Sequence, residues 1–191
     1  MPVKIAIQGG RGSACEMAAE HLLPPVNEDG SIELVYAVTA KAAIEALLNE
    51  SVAFALLVLE SPIGIAVPET VDALSTLPTC HVVASCSLPV NHVLLGRTSM
   101  WPSEVTRILS HSVSLAKHAS YLKTRFPNAE FVPVEDTGVA ACALSKGEYG
   151  ETAAVVALPV AGTIFGLTVV CPELPANQDY LTKFALVSLG I

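Results

Sequence analysis

Residues 3–23, VKIAIQGGRGSACEMAAEHLL, decide how the rest of the chain is read. An apolar run, VKIAIQ (3–8), meets the glycine-rich GGRGS (9–13) and passes at once into ACEMAAEHLL (14–23). Ala14, Met17, Ala18, His21 and Leu22 recur at the spacing of one helix face, and Pro24-Pro25 stop the helix. Strand, tight turn and helix in immediate succession open an α/β fold. A glycine turn at a helix start also presents unpaired N–H groups and the positive end of the helix dipole, which suits a carboxylate or phosphate. The glycine spacing matches neither the dinucleotide fingerprint nor the lysine-bearing phosphate loop. A plain strand–helix turn capped by Ser13 is the alternative.

The alternation continues outward from this unit. IELVYAV (32–38) is a strand, TAKAAIEALLNE (39–50) a helix with Thr39 at its cap, and VAFALLVLE (52–60) a strand ending in Glu60. SPIGIAVPETVDALSTLP (61–78), with three prolines and a glycine, breaks the regularity. Two apolar β-like stretches follow, HVVASCSL and VNHVLLGR, and then SHSVSLAKHASYLKTRF (110–126), apolar at helical spacing. AEFVPVE reads as a strand and DTGVAACALSKG as a helix capped by Asp136 or Thr137 with Gly147 past its end. TAAVVAL, a short helix around PVAGTIFG, LTVVC and FALVSLG complete the chain. Such a pattern predicts two α/β lobes joined by crossing strands, with a ligand expected between them.

Composition narrows the function. The 191 residues are 52% hydrophobic but only 5% aromatic, with Ala, Val and Leu dominant, as in strands buried on both faces. No apolar run approaches the roughly 18 residues of a membrane span. The N-terminal stretch has neither a basic region nor a cleavage site, so a cytoplasmic protein is expected. Five cysteines, without a C-x-x-C pair, fit reduced thiols and give no metal-ligand spacing. A net charge of −8 without a basic cluster argues against nucleic acid and anionic membranes, leaving a small molecule as the expected partner.

Several stretches, in order, resemble the prephenate dehydratase family. KIAIQGGRGSACEMAAEHLL is similar to its opening strand and Gly-Pro-x-Gly-Thr-Phe-Ser turn, and ETVDAL (69–74) to its Glu-Thr-x-Asp-x-Leu. LPVNHVLLG (88–96) resembles Leu-x-Ile-x-His-x-Leu-Leu, and SHSVSLAKHASYL resembles Ser-His-Pro-x-Ala-Leu-x-Gln. EDTGVAACAL and AAVVALPVAGTIFGLTVV complete the series. The resemblance covers essentially the whole chain. It implies a two-lobed, type II periplasmic-binding-protein-like fold with a central cleft. One catalytic domain would span 1–191, with lobe 1 at about 1–77 plus 169–191 and lobe 2 at about 78–168. It further implies no cofactor and no metal, a homodimer, and prephenate as substrate. The phenylalanine-sensing regulatory domain of many members is expected to be absent.

The resemblance also settles two competing stretches. Thr124-Arg125-Phe126 spells the family's catalytic Thr-Arg-Phe but closes a helix, whereas LTKFALV stands where that motif enters the last strand. Thr182 is therefore the expected catalytic threonine, with Lys183 in place of arginine and Glu60 as the strand-end carboxylate. Glu60 at such a place serves equally as a helix or hinge partner. Arg11, Gly12, Ser13, Ala14 and Cys15 of the first turn, together with Ser61, Ser110, His111 and Thr137, are the expected substrate contacts. His111 serves equally as a helix cap, and His92 reads as a core histidine.

Departures from the family fall at these positions. Ser13-Ala14-Cys15 stand for Thr-Phe-Ser; Ser61, Pro62 and Ile65 stand for Asn, Ser and Gly; Tyr180 stands for Asn and Leu158 for Ser. Lysine offers a point charge where arginine offers a planar fork. Lost donors on a kept scaffold point to changed chemistry, and the expected function is non-aromatising prephenate decarboxylation in secondary metabolism. The alternatives are prephenate dehydration to phenylpyruvate, and binding of a small diacid without turnover.

Overall fold

The computed structural model describes residues 2–23, 31–60, 66–175 and 181–190. Along them run β1 (Val3–Ile7), α1 (Ala14–Leu22), β2 (Ile32–Tyr36), α2 (Ala40–Leu48), β3 (Phe54–Glu60), α3 (Pro68–Ser75), β4 (Cys80–Pro89) and β5 (Val93–Gly96). Then come β6 (Arg107–Ser110), α4 (Ser112–Arg125), β7 (Glu130–Pro133), α5 (Thr137–Ser145), β8 (Ala153–Ala157), α6 (Pro159–Phe165), β9 (Thr168–Cys171) and β10 (Leu181–Leu189). Contacts divide the chain into two units: Met1–Gly10 with Ala14–Val90 and Gln178–Ile191, and Arg11–Ser13 with Asn91–Asn177.

The first unit is a five-stranded sheet ordered β2-β1-β3-β10-β4. β1 lies parallel to β2 and β3, as the right-handed β–α–β connections require, while β10 runs antiparallel to both β3 and β4. Alternation along the strands separates two buried faces. Ala6, Ala55, Leu57, Ala185 and Val187 pack with Ala43, Ile44 and Leu47 of α2. The alternate residues Ile5, Ile7, Leu56 and Phe184 are also buried, and α1 packs on β1, β3 and β4. Thr39 caps α2 as expected, its hydroxyl accepting from Ala42 N at 3.1 Å.

The proline-rich stretch after β3 is more regular than its composition suggests. It contains α3, with Pro68 in the first helical turn, where its missing N–H has no partner to lose. The Glu69 carboxylate accepts from Ala40 N at 3.0 Å, so one helix supplies the acceptor for the exposed N-terminus of another.

The second unit is a sheet ordered β7-β6-β8-β5-β9. β6 is parallel to β7 and β8, and β5 is antiparallel to β8 and β9. β8, AAVVA, is buried along its whole length because both faces are covered. One face packs Leu95, Leu109 and Val155 against Ala141 and Leu144 of α5 and Ala161 of α6. The other packs Leu94, Ile108 and Val156 against Leu115, Leu122 and Phe126 of α4 and its end. The Asp136 carboxylate caps α5, accepting from Val139 N at 2.8 Å, and Thr137 is the first helical residue.

The boundaries of the two units differ from the expected breaks near 78 and 169. β4 pairs along its length with β10 and so stays with the first unit, and β9 pairs with β5 and stays with the second. Local composition marked the prolines but not the strand pairing, which is nonlocal.

Candidate functional site

The first group of site candidates lies on the first unit, where β3 and β10 are neighbours. Glu60 and Lys183 are directly opposed in the ladder, and Lys183 Nζ donates to Glu60 Oε1 at 3.0 Å. Both side chains are about two-fifths exposed (43% and 39%), so the pair is a wet one worth at most about 1 kcal/mol. Thr182 precedes the lysine on the other face, buried at 6% exposure and opposite Leu88 of β4. The register shifts between Lys183 and Phe184, an irregularity that re-aims side chains at that strand end. Thr182 and Lys183 thus sit inside β10 rather than at its threshold.

Beside them, the turn after β1 is braced. Gln8 Oε1 accepts from Val58 N at 3.0 Å, and Gly9 N donates to Val38 O at 2.8 Å. Val38 itself has φ of 61°, a conformation that costs a β-branched residue on the order of 1–3 kcal/mol. Cys15 is buried at 1% exposure on the inner side of α1.

The second group lies on the second unit and gathers several sequence candidates. A Cβ on Gly138 would stand 2.4 Å from the Arg11 carbonyl oxygen, and one on Gly12 would stand 3.1 Å from Ala161 Cβ. Gly12 also has φ of +79°, which only glycine adopts without strain. The turn residues Arg11 and Gly12 therefore rest on the first turn of α5, which starts at Thr137, and on α6. Arg11 is exposed, whereas Ser13 is buried at 3% and Ala14 is half-buried.

Ser110 ends β6 with no exposure, its hydroxyl donating to Val156 O at 2.8 Å. His111 is the N-cap of α4, its Nδ1 accepting from Val113 N at 3.4 Å. Leu158, buried at 5%, stands at the N-cap of α6 without a side-chain cap bond. Ser61, Pro62, Ile65 and Tyr180 lie outside the described residues.

A hydrogen-bonded pair of histidines, His118 buried and His92 half-buried, was not among the site candidates. His92 Nδ1 and His118 Nε2 are 3.1 Å apart, with rings edge to face at 5.4 Å, and His118 Nδ1 is 3.1 Å from the Pro175 carbonyl. His92 precedes β5 rather than lying within it. Burial, then the neighbouring His118 and Lys117 charges, lower its pKa from 6.5 to about 3. Burial and Lys117 lower that of His118 too, against an upward pull from the Pro175 carbonyl. The Lys117 amine is also lowered by burial. Their sequence signal is faint: two histidines 26 positions apart, one of them on the inward face of a helix.

Among the described residues no cluster of three or more His, Cys, Asp or Glu side chains could hold a metal, and no helix is long and apolar enough to cross a membrane. An open hollow of about 740 Å³, lined by Lys4, Glu33, Glu50 and Ser51, lies at the end of the first sheet opposite Lys183.

A threonine and lysine within β10, a glycine turn seated on α5 and α6, and a serine–histidine helix start agree with a match to the prephenate dehydratase family model over residues 5–190. The chain belongs to the prephenate dehydratase family. It is 30% identical over 184 residues to a prephenate dehydratase of Amycolatopsis methanolica, covering 96% of this chain and 57% of that one. It is also 30% identical to an arogenate dehydratase/prephenate dehydratase 2, chloroplastic, of Arabidopsis thaliana, covering 97% of this chain and 46% of the relative. The family member thus spans about half the length of the curated relatives it matches. The fold is shared with a prephenate dehydratase from Arthrobacter aurescens solved in complex with L-Phe. That likeness has a TM-score of 0.82 at 24% identity, over 99% of this chain and 61% of the other. The likeness confirms an α/β fold of the prephenate dehydratase type.

Proposed function

We propose that this family member is a lyase that dehydrates and decarboxylates a prephenate-type cyclohexadienyl dicarboxylate to an aromatic product. The observation that carries the reading is Thr182, retained and buried in β10 beside the Lys183–Glu60 pair, in a chain whose relatives carry dehydratase names. It displaces the decarboxylase favoured by the sequence departures alone, because no relative described above carries that activity in its name.

The chemistry needs only a proton, which solvent supplies. Prephenate dianion and one proton give phenylpyruvate anion, CO₂ and water: the ring C–COO⁻ bond breaks, its electron pair enters the ring, and the opposite C–O bond breaks, the hydroxyl leaving as water with that proton. Thr182 donates to the departing hydroxyl and lowers the barrier to its loss. Lys183 supplies a positive charge for a substrate carboxylate while Glu60 holds the amine in place. Removing both ionic groups from water is costly, and aromatisation drives the step.

Decarboxylation with retention of the hydroxyl is the second reading. Leu158 favours it, since a buried hydrocarbon fills the helix N-cap where the family carries a serine hydroxyl. Purified protein incubated with prephenate, followed by product mass, separates the readings. Phenylpyruvate is the expected product. A product that has lost CO₂ but kept its water replaces it with the decarboxylase. No loss of prephenate or arogenate above the uncatalysed rate refutes both, and calorimetry then tests binding of the diacid without turnover.

A further inference from the structure

His92 and His118 do no chemistry in the reading above, yet they are the most completely organised titratable groups in the second unit. The Pro175 carbonyl can only accept, so His118 donates from Nδ1. Burial disfavours a charged ring at either position. A neutral His118 has only a lone pair at Nε2, to which His92 donates from its own Nδ1. With both rings neutral, each is the Nδ1–H tautomer, and the chain of donors runs His92 to His118 to Pro175.

The ends of that chain matter more than its middle. The long second-unit segment runs from Asn91 to Asn177, so His92 is its second residue and Pro175 stands two residues before its end. His118, buried at 1% exposure on α4, bonds to both. Where the chain enters this unit and where it leaves are tied to one side chain.

We propose that His92 and His118 form a neutral hydrogen-bonded latch that fastens the start of the long second-unit segment to Pro175 near its end, and so holds the paired strands β5 and β9 at those ends. The latch does not rest on the lyase reading. A merely space-filling pair would tolerate any ring of similar size, whereas a latch needs one acceptor and one donor at position 118. Glutamine supplies both from one amide; phenylalanine supplies neither.

The test uses the full chain with ¹⁵N-labelled histidine. Long-range ¹H–¹⁵N spectra at pH 7 are expected to show both rings as neutral Nδ1–H tautomers. Either ring as Nε2–H or imidazolium overturns the proposal, and this measurement needs no variant to fold. Hydrogen exchange in β5 and β9, residues 93–96 and 168–171, is expected to quicken about tenfold in H118F and to return near wild type in H118Q. Unchanged exchange in H118F overturns the proposal even if prephenate is never turned over, which separates its failure from that of the lyase reading.

Discussion

Lowering the pH from 7.5 to 5.0 should weaken the fold through His92 in particular. Its folded pKa of about 3 lies below the ordinary 6.5, so the unfolded chain takes up a proton that the folded one refuses. Stability is therefore full above about pH 6.5 and falls as pH drops from there toward 3. At pH 5 the gap to the unfolded pKa is about 1.5 units, which at about 1.36 kcal/mol per unit gives about 2 kcal/mol. The ring is not fully enclosed, so this is an upper value, and His118 adds a contribution of the same sign. Lys117, the charged neighbour that bears on both rings, also opposes their protonation. With a urea slope of about 2 kcal/mol per molar, the midpoint should fall by about 1 M. The assay is urea unfolding by circular dichroism at the two pH values, for wild type and for H92Q/H118Q. The double variant should be less stable at pH 7.5 yet lose much less between the two pH values. If wild type and variant fall equally, the pair is not buried neutral, and the tautomer assignment falls with it.

Three substitutions probe the site. T182V keeps the volume of a buried strand residue and removes one hydroxyl, so kcat should fall by about 10²–10³ with the midpoint of unfolding within about 1 M; a fall below tenfold removes Thr182 from the reaction. K183M should lower kcat/KM for prephenate about 10–100-fold, while K183R, which can grip Glu60 and a carboxylate together, should raise it up to about tenfold. Equal kinetics for all three side chains would mean that position 183 meets no substrate anion. G12A sets a methyl 3.1 Å from Ala161 Cβ in a backbone at φ of +79° and should cost about 1–3 kcal/mol in urea unfolding.

How much of this was legible depends on the range of the physics. The β1–turn–α1 unit reads directly, because apolar alternation, glycines and a helix face all lie within 20 residues and all favour one local structure. The caps at Thr39 and His111 read equally well, since a cap is satisfied by N–H groups two or three residues on. α3 was obscured by its prolines, although Pro68 in the first turn favours a helix. The allocation of β4 could not be read at all. Its partner β10 lies about a hundred positions further on, and nothing in CHVVASCSL distinguishes a strand of one sheet from a strand of the other.

The site divides along the same line. Thr182 and Lys183 are candidates through resemblance, and Glu60 through its place at a strand end; that the two charges are cross-strand partners is a property of register alone. Ser110 and Cys15 show the reverse. Each is a residue type that binds ligands, in a stretch expected to contact substrate, yet Ser110 spends its proton on Val156 O and Cys15 faces the core. Residue type states which bonds a side chain can make, and only the fold states which have already been made. His92 and His118 carry this furthest. One carbonyl at Pro175, an acceptor with no alternative, places a proton on His118 Nδ1, and with burial keeping both rings neutral it orders the proton on His92 as well.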